Sequence, residues 1–172
     1  MSRVLFVSAA YVKRKSFIGG QVDPDEMIHC IETSQDMQIQ NYLGTRLYKK
    51  IQSLIADETI NDSENADYKF LLETHIQPML CWYSQSEYIP WAAYKLGRKG
   101  IYKGVPEGAD SITSEEIANL ANRANNKANF YTERFLEYMC EQGNSNKYPE
   151  YTSTTEGMSP DKDVNGYGGF VL

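Results

Sequence analysis

The stretch "QNYLGTRLY", Gln40 to Tyr48, decides how this chain is read. A helical pattern breaks at Gly44 and resumes one residue later. Glycine turns that bind phosphate present successive backbone amides, and they usually lie after a strand and before a helix. Here a helix precedes the turn, and a single glycine makes it. The stretch therefore predicts a corner between two helices. Leu43 and Leu47 anchor its two sides, Thr45 caps the second helix, and Gly44 is exposed backbone with no ligand beside it.

Working outward, "DPDE" supplies an N-cap (Asp23), a proline at the first helical position (Pro24) and a capping-box carboxylate (Glu26). Met27, Ile28, Ile31, Met37 and Ile39 then form an apolar face, with Glu32, Gln35, Asp36 and Gln38 mostly outside, as far as about Asn41. Upstream, Arg3–Ser8 is strand-like, and Ser8 caps one or two turns reaching Lys13.

Downstream of the corner, Leu47, Tyr48, Ile51, Leu54 and Ile55 recur at helical spacing before the acidic, unpatterned "ADETINDSENAD". A third helix carries Tyr68, Leu71, Leu72 and Ile76 into Pro78, where a kink is expected. The run "MLCWYSQSEYIPWAAYKLG" predicts the central, most buried helix, kinked or split at Pro90. Glycines punctuate "LGRKGIYKGVPEGAD" into a short β-hairpin or a projecting loop. Thr113 and Glu116 open a last helix that runs to Gln142, roughly 40 Å by helical rise. The fold class is mainly α: a helical bundle of about four to five helices with a short β-hairpin and an extended C-terminal tail. Residues 1–143 form the helical domain, and residues 144–172 form the tail.

A formal net charge of −6 argues against a dedicated electrostatic nucleic-acid binder, which would carry a large basic footprint. Thirteen tyrosines against six Phe and two Trp favour half-wet surfaces and interfaces. Cys30, Cys81 and Cys140 are odd in number and widely spaced within apolar helical patterns, so they are expected as reduced core thiols. His29 and Cys30 are adjacent on one helix and point in different directions, which makes them a poor dyad. His75 reads as a residue at the core edge or surface. Metal-ligand spacing is lacking, no cofactor is expected, and an apolar stretch of the ~20 residues needed to cross a bilayer is missing, so a soluble protein without membrane contact is expected.

Three stretches remain as candidate contact sites. Ala118, Ala121, Ala124 and Ala128 form a small-residue stripe, suited to packing inside the bundle or to a subunit contact. Arg98, Lys99, Ile101, Tyr102 and Lys103, with Lys95 and Tyr94 nearby, mix cations with aromatics. Such a cluster serves as a solvated loop, as a protein contact, or as a grip on passing DNA. The tail is too polar to fold alone, so another chain is expected to order it, with Tyr167, Phe170, Val171 and Leu172 as anchors.

Read in order, "LFVSAAYVK", "GGQVDPDEM", "QDMQIQNYLGTRLYKKI", "DYKFLLETHIQPML", "YKLGRKGIYKG" and "NNKANFYTERFLEYMCEQ", ending in "YPEY", cover residues 4 to 151. Together they resemble the small helical head-to-tail connector (adaptor) proteins of tailed bacteriophages, like the first ring protein below the portal in crAss-like phages. The resemblance implies a non-enzymatic subunit of a homo-oligomeric ring, usually a homododecamer, at the head-to-tail junction of the virion. It implies docking on the portal protein, contact with other neck or tail proteins, and genomic DNA passing without specific binding. It implies no catalytic residues. A small helical DNA-binding or packaging regulator using Lys95, Arg98, Lys99 and Lys103 is the alternative reading.

Overall fold

The computed structural model describes residues 4–15, 22, 24–97, 100–103, 113–141, 143–152 and 157–163. Helix α1 (Ala9–Lys15) leads to α2 (Pro24–Ser34), a π-turn at Gln35–Ile39, and α3 (Gln40–Ala56). Two 3₁₀ turns, Thr59–Asn61 and Ser63–Asn65, precede α4 (Ala66–Leu71), a second π-turn at Leu72–Ile76, and α5 (Gln77–Ala92). Tyr94–Gly97 (β1) pairs antiparallel with Gly100–Lys103 (β2), Tyr94 lying opposite Lys103. Then come α6 (Ser114–Cys140), α7 (Asn144–Lys147) and α8 (Pro149–Thr152). The chain is mainly helical, as its periodicity predicts.

Helix α5 is the axis of the bundle. It packs against α6, α2 and α1, and it buries Met79, Leu80, Cys81, Tyr83 and Tyr88. Around it Met27, Ile31, Ile39, Leu43, Leu47, Ile51, Leu71, Ile76 and Phe135 are wholly enclosed. Helix α6 starts as expected: the Thr113 hydroxyl accepts from the Glu116 backbone N–H, and the Glu116 carboxylate accepts from the Thr113 backbone N–H. It ends at Cys140, two residues before the expected stop.

Two positions at the first π-turn depart from the expected face pattern. Gln40 N–H bonds to the Gln35 carbonyl, five residues back, so one extra residue enters the turn and the helix phase shifts. Gln35, expected outside, is buried, whereas Met37, expected inside, is 54% exposed. The buried amide has work there. Gln35 Oε1 accepts from Phe6 N–H at 2.8 Å, and its Nε2 donates to Val4 O at 2.9 Å and to Tyr48 Oη at 3.0 Å. Gln77 Nε2 donates to Phe6 O at 3.0 Å. Residues 4–8 thus satisfy their backbone with glutamine amides and pair with no strand, which corrects the strand-like reading.

The corner at Gly44 is real, but it is buried. Gly44 adopts φ 71, ψ 162 between two helical segments. In an unbroken α-helix Thr45 N–H would donate to Asn41 O. Here Thr45 N–H donates to Met158 O at 2.9 Å, and Asn41 O accepts from Asp161 N–H at 2.9 Å. The Thr45 hydroxyl, expected as a cap, accepts instead from Met158 N–H at 2.9 Å. Asn41 Nδ2 adds a bond to Asp161 Oδ2 at 3.3 Å. A Cβ on Gly44 would stand 2.8 Å from Pro160 Cδ, and one on Gly157 would stand 2.6 Å from Thr45 Cβ.

Residues 144–172, expected as an extended tail ordered by another chain, instead carry two short helices, α7 and α8, and residues 157–163 are held by the corner of their own chain. Tyr148 and Tyr151 are buried, and Tyr151 meets Phe135 edge-on at 6.1 Å. Residues 157–163 close over the corner of their own chain. The aromatic rings supply the apolar burial that a polar stretch otherwise lacks.

Two stability outcomes follow. Gln35→Ala orphans Phe6 N–H and Val4 O, and urea unfolding should show a loss of about 3 kcal/mol; a loss below about 1 kcal/mol would mean that this clamp is not what holds residues 4–8. Gly44→Ala forces a β-carbon into a backbone region nearly reserved for glycine and against Pro160, at an expected cost of about 3 kcal/mol. An unchanged urea midpoint would show that the corner does not need the glycine.

Candidate functional site

Helix α6 has two unlike faces. Inward, Ile117, Ala124, Ala128, Thr132, Phe135, Leu136 and Met139 are buried. Ala124 and Ala128 let α5 come close, and Thr132 meets the Tyr83 hydroxyl at 3.1 Å. Of the expected alanine stripe, these two are core, while Ala118 is exposed and Ala121 half-buried. The packing alternative thus holds for the C-terminal half of the stripe only.

Outward, the same helix leaves Leu120 47% and Phe130 54% exposed. Arg123 and Lys127 fall between them at helical spacing of three, four and three residues, so all four lie near one line. Lys127 Nζ sits 4.1 Å above the Trp82 ring, and Arg134 lies 5.9 Å from the Phe130 ring. A cation over an aromatic face is held without losing its charge. An open groove of about 700 Å³ follows Glu116, Asn119, Leu120, Asn122, Arg123 and Asn126. Trp91, 56% exposed, lies near the end of α5, where the Tyr94 hydroxyl meets Ser114 Oγ at 3.4 Å. Single exposed apolar residues are ordinary; two large ones on one face with cations between them make a candidate contact surface.

This outward seam was not among the expected sites. The signal was present: Leu120 and Phe130 lie off the Ile117–Ala124–Ala128–Phe135 stripe. Of the sites that were expected, Arg98, Lys99, Tyr167, Phe170, Val171 and Leu172 lie outside the described residues, and Ile101, Tyr102 and Lys103 belong to β2.

The nucleophile candidates do not assemble. His29 is exposed, 3.9 Å from Glu32. Burial pushes the Cys30 and Cys81 thiols up to about 11, which keeps them protonated near neutrality. Cys140, expected in the core, is exposed. Among the described residues no group of His, Cys, Asp and Glu stands where it could hold a metal ion, and no helix is long and apolar enough to cross a membrane.

His75 is buried at the end of α6. Its ring stacks on Tyr138 at 4.5 Å and meets Phe70 edge-on at 5.9 Å. Tyr138 in turn shares a 3.1 Å hydroxyl contact with Tyr148, whose hydroxyl donates to the Asp67 carbonyl at 2.9 Å. This aromatic column ties α7 to the body. Burial lowers the His75 pKa below 6.5; the nearby Arg134 charge adds to the shift and Glu141 opposes it. The folded state thus prefers the neutral ring, while the unfolded chain takes up a proton from about pH 6.5 downward. The stabilisation is complete above that pH and falls as pH drops toward the lower folded pKa. Urea midpoints should decline between pH 7.5 and pH 5.5, and His75→Phe should flatten that decline; an equal decline in the variant would assign the effect elsewhere.

Comparison with curated proteins and with solved structures gives no match. A family model described as a family of unknown function matches residues 39–160, from just before the Gly44 corner to Pro160 above it. The match takes in α3, α4, α5 and α6 and covers more than half of the chain, so the chain belongs to that family of unknown function, DUF6712.

Proposed function

We propose that this chain is a structural, non-enzymatic subunit of a phage head-to-tail connector ring that docks on the portal and extends the DNA channel toward the tail. The observation that carries the reading is the outward seam of α6, where Leu120 and Phe130 stand in water on a free chain. A long helix with a packed inner face and an unpacked outer one suits a wedge repeated around a ring. The order of sequence motifs supplies the identity of that ring.

In this reading the body from Pro24 to about Gln142 is the wedge, and the hairpin around Gly100 reaches a neighbour. The last residues, with Tyr167, Phe170, Val171 and Leu172, lie on another subunit. The acidic balance of −6 suits a conduit that lets DNA slide, because carboxylates lining a bore repel phosphate.

The full chain, studied by sedimentation and negative-stain electron microscopy, alone and with portal rings, should form closed rings. Leu120→Glu combined with Phe130→Glu should weaken assembly at least about tenfold with the urea midpoint unmoved. A chain that stays monomeric and instead binds duplex DNA with steep salt dependence would overturn the reading in favour of a DNA-binding regulator.

A further inference from the structure

Resting on that ring reading, we propose that the outward face of α6 receives the acidic turn at residues 57–64 of a second copy of this chain. The two surfaces are opposite in sign. Between Glu116 and Glu133, α6 contains no carboxylate and carries Arg123 and Lys127 beside Leu120 and Phe130. The turn holds Asp57, Glu58, Asp62 and Glu64, all exposed, with no Lys or Arg between Lys50 and Lys69.

The turn is also built rigidly. Glu58 takes a left-handed conformation at φ 59, and its N–H donates to Ile55 O at 3.1 Å. Asp62 N–H donates to Thr59 O, and Asn65 N–H to Asp62 O, each at 3.0 Å. Asn65 Nδ2 also donates to Thr59 O at 3.0 Å, while Ile60 packs against the core. A preorganised turn loses little conformational freedom on docking.

One chain cannot join its own two surfaces. The stacking of His75 on Tyr138 and the contact of Tyr94 with Ser114 set α6 antiparallel to the rod running from Ala66 to Ala92. The acidic turn precedes Ala66, at the end of the rod beside the C-terminus of α6. Arg123 lies toward the other end, roughly 30 Å away by helical rise. A contact between unlike patches on successive copies is heterologous, and it generates a ring when the rotation closes. Leu120 and Phe130 supply the apolar burial, and the charges set orientation and register.

The experiment is a charge exchange in the full chain, followed by sedimentation at about 0.05 M and about 0.5 M salt. Arg123→Glu with Lys127→Glu places acid against acid; Asp57→Lys with Asp62→Lys places base against base. Each variant alone should associate at least about tenfold more weakly than the parent, and mixing the two should restore association in alternating copies. Arg123→Glu alone leaves Lys127 over Trp82, so its weakening cannot come from lost packing there. A parent chain that assembles while either variant assembles equally well, or while the mixture gains nothing, overturns this contact and leaves the ring standing. A parent chain that stays monomeric overturns both the contact and the ring reading.

Discussion

One split hydrogen bond fixes residues 157–163 to the body of this molecule. At the Gly44 corner, Thr45 N–H and Asn41 O would pair with each other in a straight helix, and both turn instead to residues 158–161. Breaking a helix inside a protein is costly because it leaves a buried donor and acceptor without partners. The C-terminal segment satisfies both at once, and Pro160 fills the space that a side chain at position 44 would need. The two glycines, Gly44 and Gly157, are therefore requirements of one joint. Between Cys140 and this joint, α7 and α8 lie against the body. Tyr148 and Tyr151 enter the core on that path.

Local signals made much of the fold legible. The Thr113–Glu116 box starts α6 where the sequence places it, and Leu43, Leu47, Ile51 and Leu54 face inward at the spacing their pattern predicts. What was not legible depends on distant partners or on phase. A π-turn adds one residue to a helix and rotates all that follows by about 100°, which no apolar count reveals. Gln35 lies ahead of that rotation: it follows Met27 and Ile31 at steps of four, so it continues the buried face of α2, and what the pattern hid was the set of distant partners for its amide. The second π-turn, at Leu72–Ile76, sits just ahead of Pro78, whose ring would otherwise press on the preceding turn. Residues 157–163 read as an unsupported tail because their support lies more than a hundred positions earlier.

The outward face of α6 was hidden for a different reason. In α6 the inner stripe is partly alanine, so the large apolar residues that usually mark the buried side occur on both sides of the helix. Small inward residues, Ala124 and Ala128, are buried, while Leu120 and Phe130, on another side of the helix, stay about half exposed among the described residues. Trp82 behaves between these limits: it is half-buried, with Lys127 lying across its ring. Composition alone sees an amphipathic helix. Only the direction of each side chain separates packing residues from presented ones.

Charge then limits how copies can meet. Chains that each carry −6 repel one another in most orientations, and the repulsion is screened only beyond about 8 Å at physiological salt. The proposed orientation escapes it by bringing a cation-bearing stretch of helix that lacks carboxylates to an acidic turn. The middle of α6 is such a stretch, and the turn after α3 is its complement. Because they stand at different ends of the rod, the favourable orientation is also a directional one. Repulsion elsewhere then favours that single register over side-by-side clustering. On the proposed contact, an acidic chain meets its own copy through opposite charges although its net charge opposes association.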